Sequence, residues 1–161
     1  MRIHACLLAL IACAPLATAA DEPLSDWLRL GPEVLVGTSG FEPGYMGEFT
    51  FKQAANIRVR PEIFLQDFER PGIGCAALWP LPVALPEGQT LHIGPRLAYH
   101  NGKHSDDPRG ELSAMGIYNL PIPPKDAGTP HNLELILAIG LLDKDGTEVA
   151  FSAGAGYVYR F

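Results

Sequence analysis

The stretch Phe151-Ser-Ala-Gly-Ala-Gly-Tyr-Val-Tyr-Arg-Phe161 decides the fold of this chain, because its side chains alternate strictly in size and polarity. Successive side chains of a β-strand point to opposite faces of the sheet. One face would carry Phe151, Ala153, Ala155, Tyr157, Tyr159 and Phe161. The other face would carry Ser152, Gly154, Gly156, Val158 and Arg160. The pattern therefore predicts a strand with one broad aromatic face and one small, polar face.

The end of this segment resembles the C-terminal strand of bacterial outer-membrane β-barrels, in which a final aromatic residue follows aromatics two and four places earlier. Phe161, Tyr159 and Tyr157 carry the resemblance. It implies a location in the outer membrane and contact with outer-membrane lipid. It also implies insertion by the barrel-assembly machinery, which would act on the C-terminal strand. The resemblance names no activity.

The opposite end of the chain predicts export. Arg2 is the only charged residue before an apolar run over residues 5–14, and Ala17-Thr-Ala19 offers a small-residue cleavage site. A basic start, a short apolar segment and a small-residue exit are typical of a secretory signal peptide. We therefore predict a signal peptide over residues 1–20 and one β-barrel domain over residues 21–161, in the outer membrane of a Gram-negative cell envelope.

The position of Cys13 leaves one alternative to ordinary cleavage of the signal peptide. Leu10-Ile-Ala-Cys13 resembles a lipoprotein box, and cleavage there would leave an acylated Cys13. With ordinary signal cleavage only Cys75 remains, which excludes an intramolecular disulfide. We interpret Cys75 as a small apolar residue, either buried or facing lipid.

Composition excludes several classes of function. Residues 21–161 number 141 and carry 11 Lys and Arg against 18 Asp and Glu, a net charge of −7 that argues against a nucleic-acid partner. No apolar run in this part of the sequence approaches the roughly 18 residues that indicate a transmembrane helix. Any membrane span must therefore be built from strands, and we expect a monomer.

Helical periodicity is nearly absent, and eight segments bounded by Gly, Pro, Asp or Asn clusters predict strands. Most are long enough for a tilted bilayer crossing, which takes roughly 9–11 residues. The predicted fold class is all-β, an eight-stranded antiparallel up-and-down transmembrane β-barrel with a periplasmic C-terminus. The predicted strands are Asp26–Gly37, Gly44–Gln53, Ile57–Asp67, Gly74–Ala84, Gln89–Asn101, Gly110–Ile122, Asn132–Asp143 and Thr147–Phe161.

Three of the predicted strands share a template with proline at the fifth place and a charge at the sixth, which indicates a repeated hairpin unit. They are Leu28-Arg-Leu-Gly-Pro-Glu-Val-Leu-Val-Gly37, Ile57-Arg-Val-Arg-Pro-Glu-Ile-Phe-Leu-Gln66 and Leu91-His-Ile-Gly-Pro-Arg-Leu-Ala-Tyr-His100. Pro32, Pro61 and Pro95 each remove a ladder hydrogen bond, which is costly in lipid. We expect bulges to absorb these prolines, helped by Gly31 and Gly94 just before two of them.

Alternation alone does not determine which face of the sheet is inside. A soluble barrel or sandwich would turn Leu, Ile and Phe inward and bind an apolar ligand in its core, whereas a membrane barrel turns the charges inward. The interior of an eight-stranded barrel is just wide enough for its side chains to fill, and the apolar face would overfill it. We therefore favour the membrane barrel and keep the soluble β-protein as an alternative.

The membrane barrel makes two predictions about named side chains. Its lumen would hold a charge network of Arg29, Glu33, Glu48, Lys52, Arg58, Arg60, Glu62, Arg96, Glu134 and Arg160, in which Arg160 meets carboxylates such as Glu134. Its membrane-facing aromatics would be Tyr45, Phe49, Phe51, Tyr99, Tyr157, Tyr159 and Phe161. Buried charges must be paired, so these residues would fill the lumen, and the barrel, although porin-like in topology, would have no sizeable pore.

Candidate chemistry is sparse. His92 and His100 share the predicted lumen face, but strand residues eight places apart are too distant to hold one ion. His104-Ser-Asp-Asp107 offers a base, a nucleophile and carboxylates. An outer-membrane lipid A-type hydrolase uses such groups at a barrel rim, although that family has a different His and Ser spacing. We expect no enzyme, no cofactor and no metal site, and keep the lipid hydrolase as an alternative.

Two short stretches are similar to the MipA/OmpV barrel family. Pro43-Gly-Tyr-Met-Gly47 matches its Pro-x-Tyr-x-Gly element. Residues 102–116 resemble its charged loop before a Leu-x-Gly-x-Gly element, although Leu112-Ser-Ala-Met-Gly116 lacks the first glycine. Members of that family are considerably longer than this chain. Together, the patterns predict a small outer-membrane β-barrel with a structural, adhesive or surface-interaction role.

Overall fold

The computed structural model describes residues 28–101, 109–123, 131–143 and 147–160, so the predicted signal peptide and Phe161 lie outside the described residues. Eight antiparallel strands close into an up-and-down barrel in which β8 pairs with β1. This confirms the predicted all-β fold as a closed, eight-stranded antiparallel barrel. The strands are β1 (Leu28–Gly37), β2 (Gly40–Phe51), β3 (Ile57–Gln66), β4 (Arg70–Pro80), β5 (Thr90–His100), β6 (Arg109–Ile122), β7 (His131–Asp143) and β8 (Thr147–Arg160).

A single turn of 3-10 helix, Lys52–Ala54, lies between β2 and β3. The described residues contain no helix that is both long and apolar enough to cross a membrane.

Two strands begin four residues earlier than predicted, and β4 also ends four residues earlier, at Pro80 instead of Ala84. β2 begins at Gly40 instead of Gly44, because a tight turn at Thr38-Ser39 joins it directly to β1. β4 begins at Arg70 instead of Gly74, after a turn in which Asp67 and Phe68 have positive φ angles of 51° and 62°. Positive φ at both central residues is typical of the tight turns that match the twist of a hairpin.

Strand alternation sorts the side chains into an inner and an outer face. On β7, Glu134, Ile136 and Ala138 are buried inside the barrel, whereas Leu137 and Ile139 point outward and are 58% and 59% exposed. On the other strands most of the charged residues likewise lie inside and most of the large apolar residues lie outside, although a smaller apolar set, including Leu35 and Leu78, is also buried. The soluble alternative required the apolar face to point inward, and the described strands adopt the opposite arrangement.

The barrel has two ends, which we call the terminal end and the distal end. β1 begins and β8 ends at the terminal end, where Arg29 lies opposite Arg160 in the ladder. The connections over residues 52–56 and 81–89 lie at this end. The distal end carries the turn at Thr38-Ser39 and the turn that begins at Asp67.

The mid-strand prolines face outward, and they interrupt ladders without shifting the register. Across Pro32, the β1–β8 ladder stops at Leu30 opposite Tyr159 and resumes at Glu33 opposite Gly156. The two strands advance by the same number of residues, so there is no bulge at this position. The expected bulge is wrong, because a proline lacks one donor and disturbs only the ladder toward which that donor would point.

Pro61 and Pro95 repeat this arrangement. Pro61 interrupts the β2–β3 ladder and Pro95 the β4–β5 ladder, each with unchanged register on both sides. In all three strands the disturbed ladder joins the preceding strand of the barrel, and the ladder to the following strand is intact. Gly31 and Gly94 permit close approach at two of these gaps, since a Cβ there would overlap the carbonyl oxygen of the neighbouring strand.

Candidate functional site

The interior of the barrel is the candidate functional site, and Arg60 on β3 lies at its centre. The Arg60 guanidinium donates to Glu134 on β7 at 2.5 Å and to Glu33 on β1 at 2.6 Å. It also pairs with Glu62 at 3.5 Å and with Glu48 on β2 at 3.8 Å. We call Arg60 and these four carboxylates the central cluster. Every one of these side chains is at most 2% exposed.

A second group of ion pairs surrounds Arg96 on β5. Arg96 pairs with Glu62 at 2.8 Å, with Glu111 on β6 at 3.0 Å and with Glu42 on β2 at 3.9 Å. The imidazole of His100 lies between the two outer carboxylates, with Nδ1 3.3 Å from Glu42 and Nε2 3.4 Å from Glu111. We call Arg96, Glu42, Glu111 and His100 the distal cluster, because it lies toward the distal end.

Two neighbouring contacts complete the distal cluster. The guanidinium carbon of Arg96 lies 5.7 Å from the centre of the Phe64 ring, within the range of a cation–π interaction. The Ser113 hydroxyl donates to Glu111 at 2.8 Å. This serine therefore supports a carboxylate, and does not present the serine–histidine contact of a hydrolase.

A third group lies at the terminal end. Arg29 on β1 and Arg58 on β3 each pair with Glu48 at 3.3 Å. Asn119 on β6 lies beside them. With its amide oxygen toward Arg58, it accepts from that guanidinium at 3.2 Å and donates to Glu134 at 2.8 Å. Beside these residues is a cavity of about 280 Å³, the terminal pocket, lined by Arg29, Arg58, Gly88, Thr90, Asn119, Pro121 and Asn132.

Shared carboxylates join the three groups into one network. Glu48 links Arg29 and Arg58 to Arg60, and Glu62 links Arg60 to Arg96. Removing a charge from water is costly unless it is paired and hydrogen-bonded, so mutual pairing is the condition for burying these groups. The remaining interior is filled by an apolar cluster of Leu35, Ala76, Leu78, Met115, Ile117, Ile136 and Ala138.

The structure places most of the predicted network residues in this interior: Arg29, Glu33, Glu48, Arg58, Arg60, Glu62, Arg96 and Glu134. Lys52 is a correction, because β2 ends at Phe51 and Lys52 is exposed in the 3-10 helix. The backbone of Arg160 pairs with Arg29, but its side chain, and with it the predicted contact to Glu134, lies outside what the structure describes.

Sequence reasoning missed Glu42 and gave His100 no role beyond lining the lumen. Glu42 was assigned to a connection because Pro43 follows it, yet Pro43 lies within β2 opposite Val34. The signal was the inward alternation of Met46 and Glu48, which continues back to Glu42. The local sequence does not predict the contact between His100 and Glu42, because side chains of non-adjacent strands meet in the lumen only when the barrel closes.

Most predicted membrane-facing aromatics are on the outer face. Tyr45 is 65% exposed, and Tyr157 and Tyr159 form an edge-to-face pair with ring centres 4.9 Å apart. The His131 ring contacts both of these tyrosines. Phe49, Phe51 and Tyr99 are half-buried on the same outer face, and Phe161 lies beyond the described residues.

Of the remaining candidates for chemistry, the structure describes only His92 and His100, which lie in different groups of residues. His92 faces Asn119 at 3.5 Å, and His100 belongs to the distal cluster. The His104–Asp107 stretch falls outside the described residues. Among the residues with defined positions, no group of three or more His, Cys, Asp or Glu side chains is arranged to hold a metal ion.

The chain matches no protein-family model, no curated protein and no solved structure.

Proposed function

We propose that this protein is a small outer-membrane β-barrel with a closed lumen and a structural, adhesive or surface-interaction role. One observation carries the proposal: the barrel buries its charges inside and exposes large apolar side chains outside. In water such an outer surface would be a large exposed apolar patch, which soluble monomers rarely have. In a membrane the same apolar surface would contact the hydrocarbon chains of the lipid.

Aromatic side chains near the terminal end support this proposal. Trp79 and Tyr159 are 40% and 42% exposed on the outer wall, and Tyr157 lies beside Tyr159. Trp and Tyr are enriched where a bilayer meets water, because their rings are apolar and their N–H or O–H groups are polar. We place the terminal end in the periplasm and the distal end at the cell surface.

The filled interior supports a role other than conduction. Arg60 and Arg96, each at most 1% exposed, lie across the lumen among carboxylates from β1, β2, β6 and β7. A closed lumen leaves the connections at the distal end to contact other molecules, as loops commonly do. The predicted partners remain outer-membrane lipid and, during insertion, the barrel-assembly machinery.

A matched pair of arginine substitutions tests membrane residence. Leu137 lies midway along β7, whereas Val149 lies near the distal start of β8, and both are exposed on the outer face. Arginine on the lipid face costs roughly 2–4 kcal/mol at the bilayer midplane and roughly 0–1 near its edge. We expect Leu137→Arg to reduce the folded, heat-modifiable species recovered from outer membranes strongly, and Val149→Arg to change it little.

The same experiment has a clear contrary outcome. If the wild-type protein is recovered in the soluble periplasmic fraction, or if both arginine variants behave alike, the membrane proposal is wrong. For the closed lumen, we expect purified protein in planar bilayers to give no stable open-channel conductance, and a steady pore current would contradict it.

A further inference from the structure

The terminal pocket has a lining that the closed-lumen barrel does not explain. Its residues come from β1, β3, β5, β6, β7 and the β4–β5 connection, so it lies at the mouth of the barrel. Its volume is about 280 Å³. Since a water molecule takes up about 30 Å³ in the liquid, this volume holds several waters or one small polar molecule.

The charged side chains that line this pocket are all positive. The only ionised side chains among its described lining residues are Arg29 and Arg58. Both guanidinium groups pair with Glu48 at 3.3 Å, and Glu48 also lies 3.8 Å from Arg60. Glu48 is therefore the carboxylate that Arg29 and Arg58 share, whereas Arg60 also pairs with Glu33, Glu62 and Glu134, and the Glu48 side chain is fully buried. The Nε atom of Arg29 is buried and has no acceptor among the described residues.

Neutral hydrogen-bonding groups complete the lining. Thr90 contributes a hydroxyl, and Asn119 and Asn132 contribute side-chain amides. Two guanidinium groups beside Thr90 and Asn132 suit an anion with several acceptor oxygens, because arginine binds phosphate and carboxylate in a bidentate way. A tetrahedral oxyanion can satisfy donors that converge from several strands.

The position of the pocket selects a soluble ligand over a lipid headgroup. Its lining lies at the mouth of the barrel, where the interior meets the aqueous phase, and not on the apolar outer wall. The distal cluster offers no equivalent site, because Glu42 and Glu111 flank Arg96 there and would repel an anion.

We propose that the terminal pocket binds a small soluble oxyanion of the phosphate type, held between the guanidinium groups of Arg29 and Arg58. Inorganic phosphate is the simplest member of this class, and a volume of about 280 Å³ also has room for a small phosphomonoester. The site requires only the closed barrel, so it does not depend on the proposed membrane location.

The test is a calorimetric titration of inorganic phosphate into the folded full-length barrel in a zwitterionic detergent at low ionic strength. We expect saturable binding to the wild type, and binding at least roughly tenfold weaker in Arg29→Gln and in Arg58→Gln, since each loses a charge-assisted contact. Glu48 keeps two arginines in either variant, so the barrel retains its internal pairing. Heat-modifiable mobility verifies folding.

Arg70→Gln is the matched control. Arg70 lies at the distal end, where it pairs with Asp67 at 3.1 Å, and the substitution removes the same charge. We expect its phosphate affinity to equal that of the wild type. An equal loss of affinity in this variant would overturn the proposal, because it would indicate a general charge effect.

Glu48→Gln provides a test with the opposite sign. It removes the carboxylate that competes for Arg29 and Arg58, so we expect phosphate to bind several-fold more tightly, a gain that a purely structural role would not produce. This variant also carries the test if an arginine variant fails to fold. Absence of saturable phosphate binding to the wild type would overturn the proposal. Binding to phosphatidylglycerol vesicles, but not to free phosphate, would also overturn the proposal, because it would indicate a lipid headgroup as the ligand.

Discussion

The central and distal clusters are both built around one buried arginine, but they distribute their charges differently. Arg60 contacts four carboxylates. Two of them, Glu33 and Glu134, have no second ion-pair partner among the described side chains, and the only further hydrogen bond found for either of them joins Asn119 to Glu134. The carboxylates around Arg96 are shared, because Glu62 also meets Arg60 and Glu111 also meets Ser113 and His100. The cost of losing a buried cation therefore depends on which other ion pairs and hydrogen bonds its carboxylate partners retain.

The largest expected effect follows from removing the cation of the central cluster. Arg60→Met would remove the described ion-pair partner of Glu33 and Glu134, which are both buried, and breaking a buried pair in this way costs about 4 kcal/mol. We expect the free energy of unfolding to fall by about that amount, measured by urea titration of the barrel refolded in detergent.

A compensating variant sharpens this prediction. Adding Glu33→Gln and Glu134→Gln to Arg60→Met removes the charges of these two carboxylates and keeps the side-chain volumes similar. We expect the triple variant to recover more than half of the lost stability. If Arg60→Met is as stable as the wild type, the central cluster is not the energetic centre of the interior.

A smaller effect is expected at the distal cluster. After Arg96→Met, Glu62 keeps Arg60, and Glu111 keeps its hydrogen bond from Ser113. Glu42 loses Arg96 but keeps the His100 imidazole at 3.3 Å. No carboxylate loses every described partner, so we expect a loss of about 2 kcal/mol in the same urea titration, close to the value of charged hydrogen bonds. A loss equal to or larger than that of Arg60→Met would reverse the comparison.

The smallest effect is expected at His100, which adds to pairs that Arg96 already makes. His100→Leu removes the imidazole between Glu42 and Glu111, and we expect a loss of about 1 kcal/mol. His92→Leu is the matched control, because His92 is also buried but lies outside the distal cluster. Equal losses in the two variants would show that the position of His100 between two carboxylates adds nothing to the free energy of unfolding.

Much of this architecture can be predicted from alternation alone. The period of two identified all eight strands, placed Leu137 and Ile139 on the face opposite Glu134, and kept the predicted bounds of β7 within one residue. It failed at Lys52, where alternation continued past the end of the strand. It also failed at Glu42, because a proline inside β2 resembled a connection.

The pairing inside the lumen was beyond sequence reasoning. Arg60 and Glu134 are 74 residues apart and meet only because the barrel closes. The shared template did predict equivalent positions, since Pro32, Pro61 and Pro95 disturb equivalent ladders. The template also shows Gly31 of β1 and Gly94 of β5 at the place of Arg60, but it did not reveal that Arg60 would lie at the centre of the lumen.

Arg60 reaches carboxylates that are far apart in the sequence. Its partner Glu33 comes from the first strand, while Glu134 comes from the seventh, so a chain that has added only six strands holds this guanidinium without its full set of counter-charges. Until β7 is added, Arg60 has Glu33, Glu48 and Glu62 beside it but lacks its contact with Glu134. The central cluster is therefore complete only in a barrel that includes β7.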